Sequence, residues 1–275
     1  MSTADLQVRL AAARSGHWRP RPWIASPAKR LGLILLLVVY LVLALASVEI
    51  NWERVAEGLG RGLNFITAFI QPDFTSRWGD IVEGIKESLT MTFTSTVLGV
   101  VLAIPVGLGA ARNLAPLPVY LFCRSIIAIS RTFQEVIIAI LFVVMFGFGP
   151  LAGMITLAFA TIGFMAKLLA EDVEDINPGQ VEAIRATGAS WLQVMTYAVQ
   201  PQVMPRLIGL SIYRLDINFR ESAVIGIVGA GGIGATLNTS LSRYEYDTSA
   251  AILLIIIALV LMAEYFSSHV RKWVQ

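Results

Sequence analysis

The chain has 275 residues, of which 56% are hydrophobic and only 15% charged, with a mean hydropathy of +0.70. Soluble domains carry roughly a quarter charged residues, so this composition belongs to a membrane protein. A net charge of +2 is too small to imply nucleic acid, and the single cysteine, Cys123, excludes an intrachain disulfide and lies in no metal-ligand spacing.

The first thirty residues form a basic tail, with Arg9, Arg14, Arg19, Arg21, Lys29 and Arg30 against Asp5. A helix needs roughly twenty apolar residues to cross the hydrocarbon core, and six stretches qualify as spans. The first, LGLILLLVVYLVLALAS within an anchor at 31–48, follows the basic tail, which places the amino terminus in the cytoplasm. The ALAS at its end resembles a processing site, but the long leader and apolar run fit an uncleaved anchor. Residues 49–82 mix acidic and aromatic residues and read as short amphipathic pieces outside the membrane.

The core is expected over 83–271. Spans near 86–111, 118–146 and 152–170 come first, with the turn GFGPLAG (147–153) between the last two. A polar or amphipathic stretch, 171–205, is the largest inside loop. A span near 206–228, a glycine cluster, the polar run NTSLSRYEYDTS (238–249) and a last span at 251–268 complete the chain, and Arg271 and Lys272 put the carboxyl terminus inside as well. These spans predict an all-α, multi-pass protein with both termini cytoplasmic.

Within the inside loop, EAIRATGASWLQVMTYAVQP (182–201) starts with a charge, carries Arg185 and Gly188, and stops at Pro201. A glycine in a helix interior costs about 1 kcal/mol relative to alanine, so a turn between two short helices is the expected form. The spacing of Glu182, Ala183, Gly188 and Pro201 resembles the EAA loop of permease subunits in ABC importers. Ile184 stands where a second alanine is usual, and Ala198 and Gln200 stand where apolar residues are. FRESAVIGIVGAGGIG (219–234), RATGAS and PQVMP are similar to methionine-type permeases, and most of all to phosphonate and phosphite importer permeases, over about residues 80–270.

This resemblance implies a type I permease architecture and a bacterial inner-membrane location. It also implies that Glu182 to Trp191, including Ala183, Arg185, Ala186 and Gly188, forms a coupling helix against a cytoplasmic ATPase. Small side chains at 183, 186 and 189 would let it seat closely, and Glu182 could meet a basic partner or cap a helix start. The implied partners are a second permease copy, two ATPase subunits that carry ATP and Mg, and a periplasmic or lipid-anchored solute-binding protein. The chain would hold no cofactor or metal and perform no catalysis, and it contains no phosphate-binding G-x-x-x-x-G-K-[ST] of its own.

The spans carry charges. Arg124, Arg131 and Glu135 are seven and four residues apart, which on one continuous helix puts them on one face. Asp216 and Arg220 are four apart, with Arg214, Asn218 and Glu221 on a neighbouring stripe. A charge in mid-membrane costs at least about 2.5 kcal/mol, so these groups should face the bundle, pair, or line a watery path. Pairing would join Arg131 to Glu135 and Asp216 to Arg220. A path for an anion would use Arg131 and Arg220 first, since forked guanidinium donors match an oxyanion better than lysine.

The run GAGGIG satisfies a dinucleotide fingerprint at Gly229, Gly231 and Gly234, but no strand precedes it and position 254 is leucine where an acid is needed. Gly229, Gly231, Gly232 and Gly234 read instead as a close-packed break at the outer end of the fifth span, where a gate could form. The rivals to an importer of phosphorus oxyanions are the same machine carrying another solute such as methionine, an ion-coupled secondary transporter, and a membrane scaffold.

Overall fold

The computed structural model describes Asp5, Gln7, residues 26–47 and residues 51–274, of which 271–274 by backbone alone. Most of the basic tail therefore lies outside the described residues. Every regular element among the described residues is a helix. Two units divide the chain, Met1–Gly60 and Arg61–Gln275.

In the first unit, α1 (Pro27–Ala46) opens with proline in its first turn, where a missing N–H costs nothing. Leucine and valine follow on all sides, and none of its residues is buried, as a helix surrounded by lipid requires. Helix α2 (Trp52–Ala68) begins in this unit and continues into the next. It is one amphipathic helix where short pieces were expected.

The second unit is built on α3 (Trp78–Gly109) and α6 (Pro150–Glu174), which make the most extensive helix pairing. Their closeness comes from small residues. A methyl added at Gly99 would lie 2.5 Å from Thr161 Cβ, and one at Gly107 would lie 3.0 Å from the Ala166 carbonyl oxygen. Apolar surface outside these helices is matched by lipid, so close van der Waals packing and interhelical hydrogen bonds hold such pairs together.

Around this pair stand α4 (Leu117–Thr132), α5 (Glu135–Phe146), α7 (Pro178–Ala186), α8 (Trp191–Val194), α9 (Gln200–Ile227), α10 (Ile233–Ser242) and α11 (Tyr246–Val274). One apolar core, including Ala103, Met165, Leu169, Val199 and Val203, joins α3, α6, the turn before α9 and α9 itself near the loop end. Another, with Ala139, Leu157 and Ile225, joins α5, α6 and α9 near the glycine cluster.

Among the described residues four helices, α1, α3, α6 and α11, are long and apolar enough to cross a membrane, and α4 with α5 makes a fifth candidate as a bent pair. The fifth expected span, near 206–228, lies on α9, whose 28 residues suffice in length. Its charges keep it from qualifying by composition.

The third expected span is corrected. Phe133 and Gln134 are both extended, and α4 and α5 meet at 95°. Arg124 and Arg131 therefore stand on one helix and Glu135 on another, and the three do not share a helical face. Helix α10 is a second departure, since its last half occupies the start of the run read as a polar segment.

Candidate functional site

The loop read as a coupling element is an elbow of two helices. Asn177 caps α7, its side-chain oxygen accepting the Gly179 N–H at 2.9 Å, and Pro178 fills the first turn. The start of α7 is thus four or five residues ahead of Glu182, which sits mid-helix and caps nothing. The helix ends at Thr187, and Gly188 takes φ +78°, a left-handed conformation that glycine adopts without strain. At the other side of the turn the Ser190 N–H donates to Gln193 Oε1 at 2.7 Å, starting α8.

The two faces of the elbow differ in burial. Val181 is buried with Val194 and Ala198, and Ile176, Ile184 and Ala189 pack around them. Ala189 therefore turns inward instead of lining the seating face with Ala183 and Ala186. Glu182, Ala183, Arg185, Ala186 and Gly188 are all exposed, as are Trp191, Leu192 and Tyr197.

The elbow is tied to the bundle by its base. Gln202 spans the gap, accepting the Asn177 N–H at 2.9 Å and donating to the Ala198 carbonyl at 2.7 Å. Arg206 pairs with Asp172 at 2.9 Å. Between α8 and α9, Met195–Val199 forms a π turn in which the Gln200 N–H reaches back to the Met195 carbonyl. Pro201 follows it, exposed, with no N–H to offer Tyr197, so regular α geometry could not have paired that carbonyl.

Deeper in the bundle α9 presents its charges. Arg214 is 3% exposed. Its guanidinium lies 3.2 Å from Glu221 and 4.0 Å from Glu135, donates to Thr161 Oγ1 at 3.1 Å and stands 5.3 Å from the centroid of the Phe164 ring. Asn218, fully buried, donates to Thr161 Oγ1 at 2.9 Å and to Thr96 Oγ1 at 2.8 Å. This chain of bonds crosses α9, α6 and α3, so every polar atom it satisfies also fixes how those three helices meet.

The expected pair Asp216 and Arg220 forms, at 2.6 Å. Asp216 is buried while Arg220 remains about half exposed. The expected pair Arg131 and Glu135 does not form, because the bend after Thr132 turns Glu135 toward Arg214. Arg131 is exposed, makes no ion pair among the described residues and lies 5.9 Å from the centroid of the same Phe164 ring as Arg214. Arg124 stands apart from this group, bonded to Glu174 at 2.9 Å and to the Ala110 carbonyl at 3.0 Å.

At the far end of α9 the glycine cluster is seated against its neighbours. Gly229, Gly231 and Gly232 have φ of +94°, +79° and +74°, the conformations for which the chain needs glycine. A methyl at Gly231 would lie 2.6 Å from the Pro150 nitrogen, and one at Gly232 would lie 2.5 Å from Ser88 Oγ. The first N–H groups of α10 are met from α3: Glu87 accepts from Gly232 at 2.9 Å and Ser88 from Ile233 at 3.0 Å. Sequence reading missed Glu87 and Ser88, which lie 145 positions from their partners. It also missed Thr96, Thr161 and Phe164, because hydroxyls and aromatic rings are unremarkable in an apolar helix.

Comparison with known proteins agrees with this arrangement. The family described as binding-protein-dependent transport system inner membrane component matches residues 103–275. The phosphite transport system permease protein of Stutzerimonas stutzeri is 37% identical over 258 residues, covering 94% of this chain and 90% of that protein. The phosphate-import permease protein of Mycolicibacterium smegmatis is 37% identical over 273 residues, 99% of this chain, and this chain spans 50% of its length. Among solved structures, an inward-facing methionine ABC transporter matches with a TM-score of 0.62 at 25% identity, covering 73% of this chain and 99% of that one. An amino acid ABC transporter crystallised with histidines shares the fold, with a TM-score of 0.60 at 20% identity, over 73% of this chain and 98% of that one. The chain belongs to the family of binding-protein-dependent transport system inner membrane components.

Proposed function

We propose that the chain is the permease subunit of an ATP-driven importer that moves a phosphonate, phosphite or related phosphorus oxyanion across the bacterial inner membrane by alternating access. The observation that carries this reading is the elbow. One face of α7 packs through Val181 and Ile184 on Val194 and Ala198 of the elbow's second arm, whose Met195 and Val199 sit in the bundle core, while the opposite face is exposed. Such an element can transmit a rigid-body displacement from a partner into the helices it is fastened to. In this reading the partner is a pair of ATPase subunits, which bind ATP and Mg and hydrolyse it, and the elbow faces the cytoplasm. A second permease copy completes the path, a solute-binding protein delivers the substrate from outside, and both termini of this chain are cytoplasmic.

The substrate class is supported by the phosphite and phosphate relatives and by the cations of the bundle. Of these, Arg131 and Arg220 form the proposed path, since both are exposed; Glu135, Asp216 and Glu221 tune its charge. Arg214 is enclosed by its carboxylates, and Arg124 and Asn218 are engaged in helix contacts. The glycine segment 229–234 would gate the outer end. A second reading, methionine as cargo, is favoured by the similarity to methionine transporter permeases in fold and in sequence.

ATP hydrolysis by the co-purified ATPase should rise when this chain and the substrate-loaded binding protein are both present. Absence of any rise, or uptake that follows an ion gradient without ATP, overturns the importer reading. Uptake of radiolabelled phosphite against methionine separates the two cargoes.

Two variants sharpen the assignment. Gly188→Trp should lower stimulated ATPase activity at least about tenfold with membrane insertion intact, because a methyl at Gly188 meets nothing within 4 Å inside the subunit. Gly188→Asn, which tolerates φ near +78°, should retain most of the coupling. Normal coupling in the tryptophan variant removes the elbow from the mechanism. Arg131→Gln should lower uptake by roughly tenfold or more, as expected for loss of one charged hydrogen bond to the anion, with the melting temperature of the complex unchanged. A fall in melting temperature with normal uptake would assign Arg131 to structure instead.

A further inference from the structure

Helix α2 plays no part in the transport reading, yet it has an unusual construction. Trp52, Val55, Leu59, Leu63 and Ile66 recur at helical spacing along one face, and each is between 42% and 72% exposed. Glu53, Arg54, Glu57 and Arg61 occupy the other side. No residue of α2 is buried.

Its glycines deepen the question. Gly58, Gly60 and Gly62 all lie in the helix interior, where each weakens a helix relative to alanine. A methyl at any of them would meet no neighbour within 4 Å, so no close helix packing requires them. A seventeen-residue helix with three glycines and no protein core beneath it is marginal in water. Its apolar face needs a surface, and the described residues do not provide one.

The chain limits what that surface can be. Five residues, 47–51, separate α2 from the end of the membrane-length α1, a reach of at most about 20 Å. At its other end Phe65 packs edge-on against Tyr246 at 5.8 Å between ring centroids, and the Asp73 N–H donates to the Asp247 carbonyl at 3.2 Å. Both contacts are to the first turn of α11, another membrane-length helix. Phe65 lies about 120° around the helix from Leu59, so this packing leaves the apolar stripe open.

We propose that α2 is an in-plane membrane anchor: its stripe of Trp52, Val55, Leu59, Leu63 and Ile66 is seated in the bilayer surface at the glycine end of the bundle, with its charged side in water. The occupant of the stripe is lipid. The two acidic and two basic residues of the polar side cancel, so apolar burial and not headgroup charge holds it there. Continuity with the lipid-embedded ends of α1 and α11 favours the bilayer over a soluble partner.

The test uses the full-length permease in lipid vesicles, spin-labelled singly at 54, 55, 57, 59, 61, 63 and 66, each variant checked for intact assembly by gel filtration. Labels at 55, 59, 63 and 66 should collide readily with oxygen and poorly with a water-soluble nickel chelate. Those at 54, 57 and 61 should show the reverse, with the same pattern in neutral and anionic vesicles. Nickel accessibility at every position would show a solvated helix and overturn the proposal. Protection of the stripe from both reagents would show a protein interface, and nickel access that disappears only when the solute-binding protein is added would show a docking surface; either result also overturns it. A pattern present only in anionic vesicles would overturn the claim that charge is dispensable. None of these results depends on which solute is carried.

Discussion

Arg214→Met should destabilise the folded permease by about 3–5 kcal/mol, the largest loss expected from any single charge in the bundle. Arg214 is 3% exposed and is the cation nearest to both Glu221 and Glu135. Methionine fills much of the same volume but leaves two carboxylates facing each other's field in a poorly solvated place. It also removes the donor that Thr161 receives at 3.1 Å, loosening the bond chain through Asn218 to Thr96. Removing the carboxylates along with the cation tests the cause. Arg214→Met combined with Glu221→Gln should recover part of the loss, and addition of Glu135→Gln should recover more, since a neutral polar cluster no longer needs a counter-charge. Unfolding in mixed detergent micelles gives the three values. Equal losses in the single and triple variants would mean that the groups are not coupled. In that case the guanidinium would matter for its packing against Phe164, 5.3 Å away.

The same cluster shows what could be read from the chain and what could not. Asp216 and Arg220 are four residues apart on an unbroken helix, and the pair forms at 2.6 Å. Arg131 and Glu135 have the same spacing and do not pair, because two extended residues intervene. Neither Phe133 nor Gln134 is glycine or proline, so nothing local announces the bend. The long apolar runs of α1, α3, α6 and α11 were legible because lipid demands them of any crossing helix. The turn at Gly188 was legible because a glycine there is otherwise costly. Helix α10 was not, since its first N–H groups are met by Glu87 and Ser88 from a distant helix. Hydropathy reports which residues avoid water, and it carries no information on which buried hydroxyl will meet which amide. The elbow's exposed face was readable only through its motif, and the inward turn of Ala189 only from its packing against the buried Val181, Val194 and Ala198.

Gly234→Ala should cost the fold at least about 1–3 kcal/mol, the usual range for overpacking, and Gly226→Ala a similar amount. A methyl at Gly226 would lie 2.5 Å from the Gly231 carbonyl oxygen and 2.7 Å from Gly234 Cα. A methyl at Gly234 would overlap the Ala223 carbonyl oxygen. All of these are backbone atoms, so no side chain can rotate away and α9 and α10 must separate. Separation also draws Gly232 and Ile233 off Glu87 and Ser88, exposing two amides that α3 now satisfies. Because the two glycines share one crossing, the double variant should cost less than the sum of the single ones. Gly58→Ala is the control: it adds a methyl to open space on a helix, and should be neutral or stabilising by up to about 1 kcal/mol. Thermal unfolding of the four variants in one lipid mixture decides the matter. Stability unchanged in Gly234→Ala would mean that α10 is not pressed against α9, and a gate at this end could then not work by parting the two helices. A loss of stability with uptake raised in the surviving protein would instead show that the crossing holds the outer end shut.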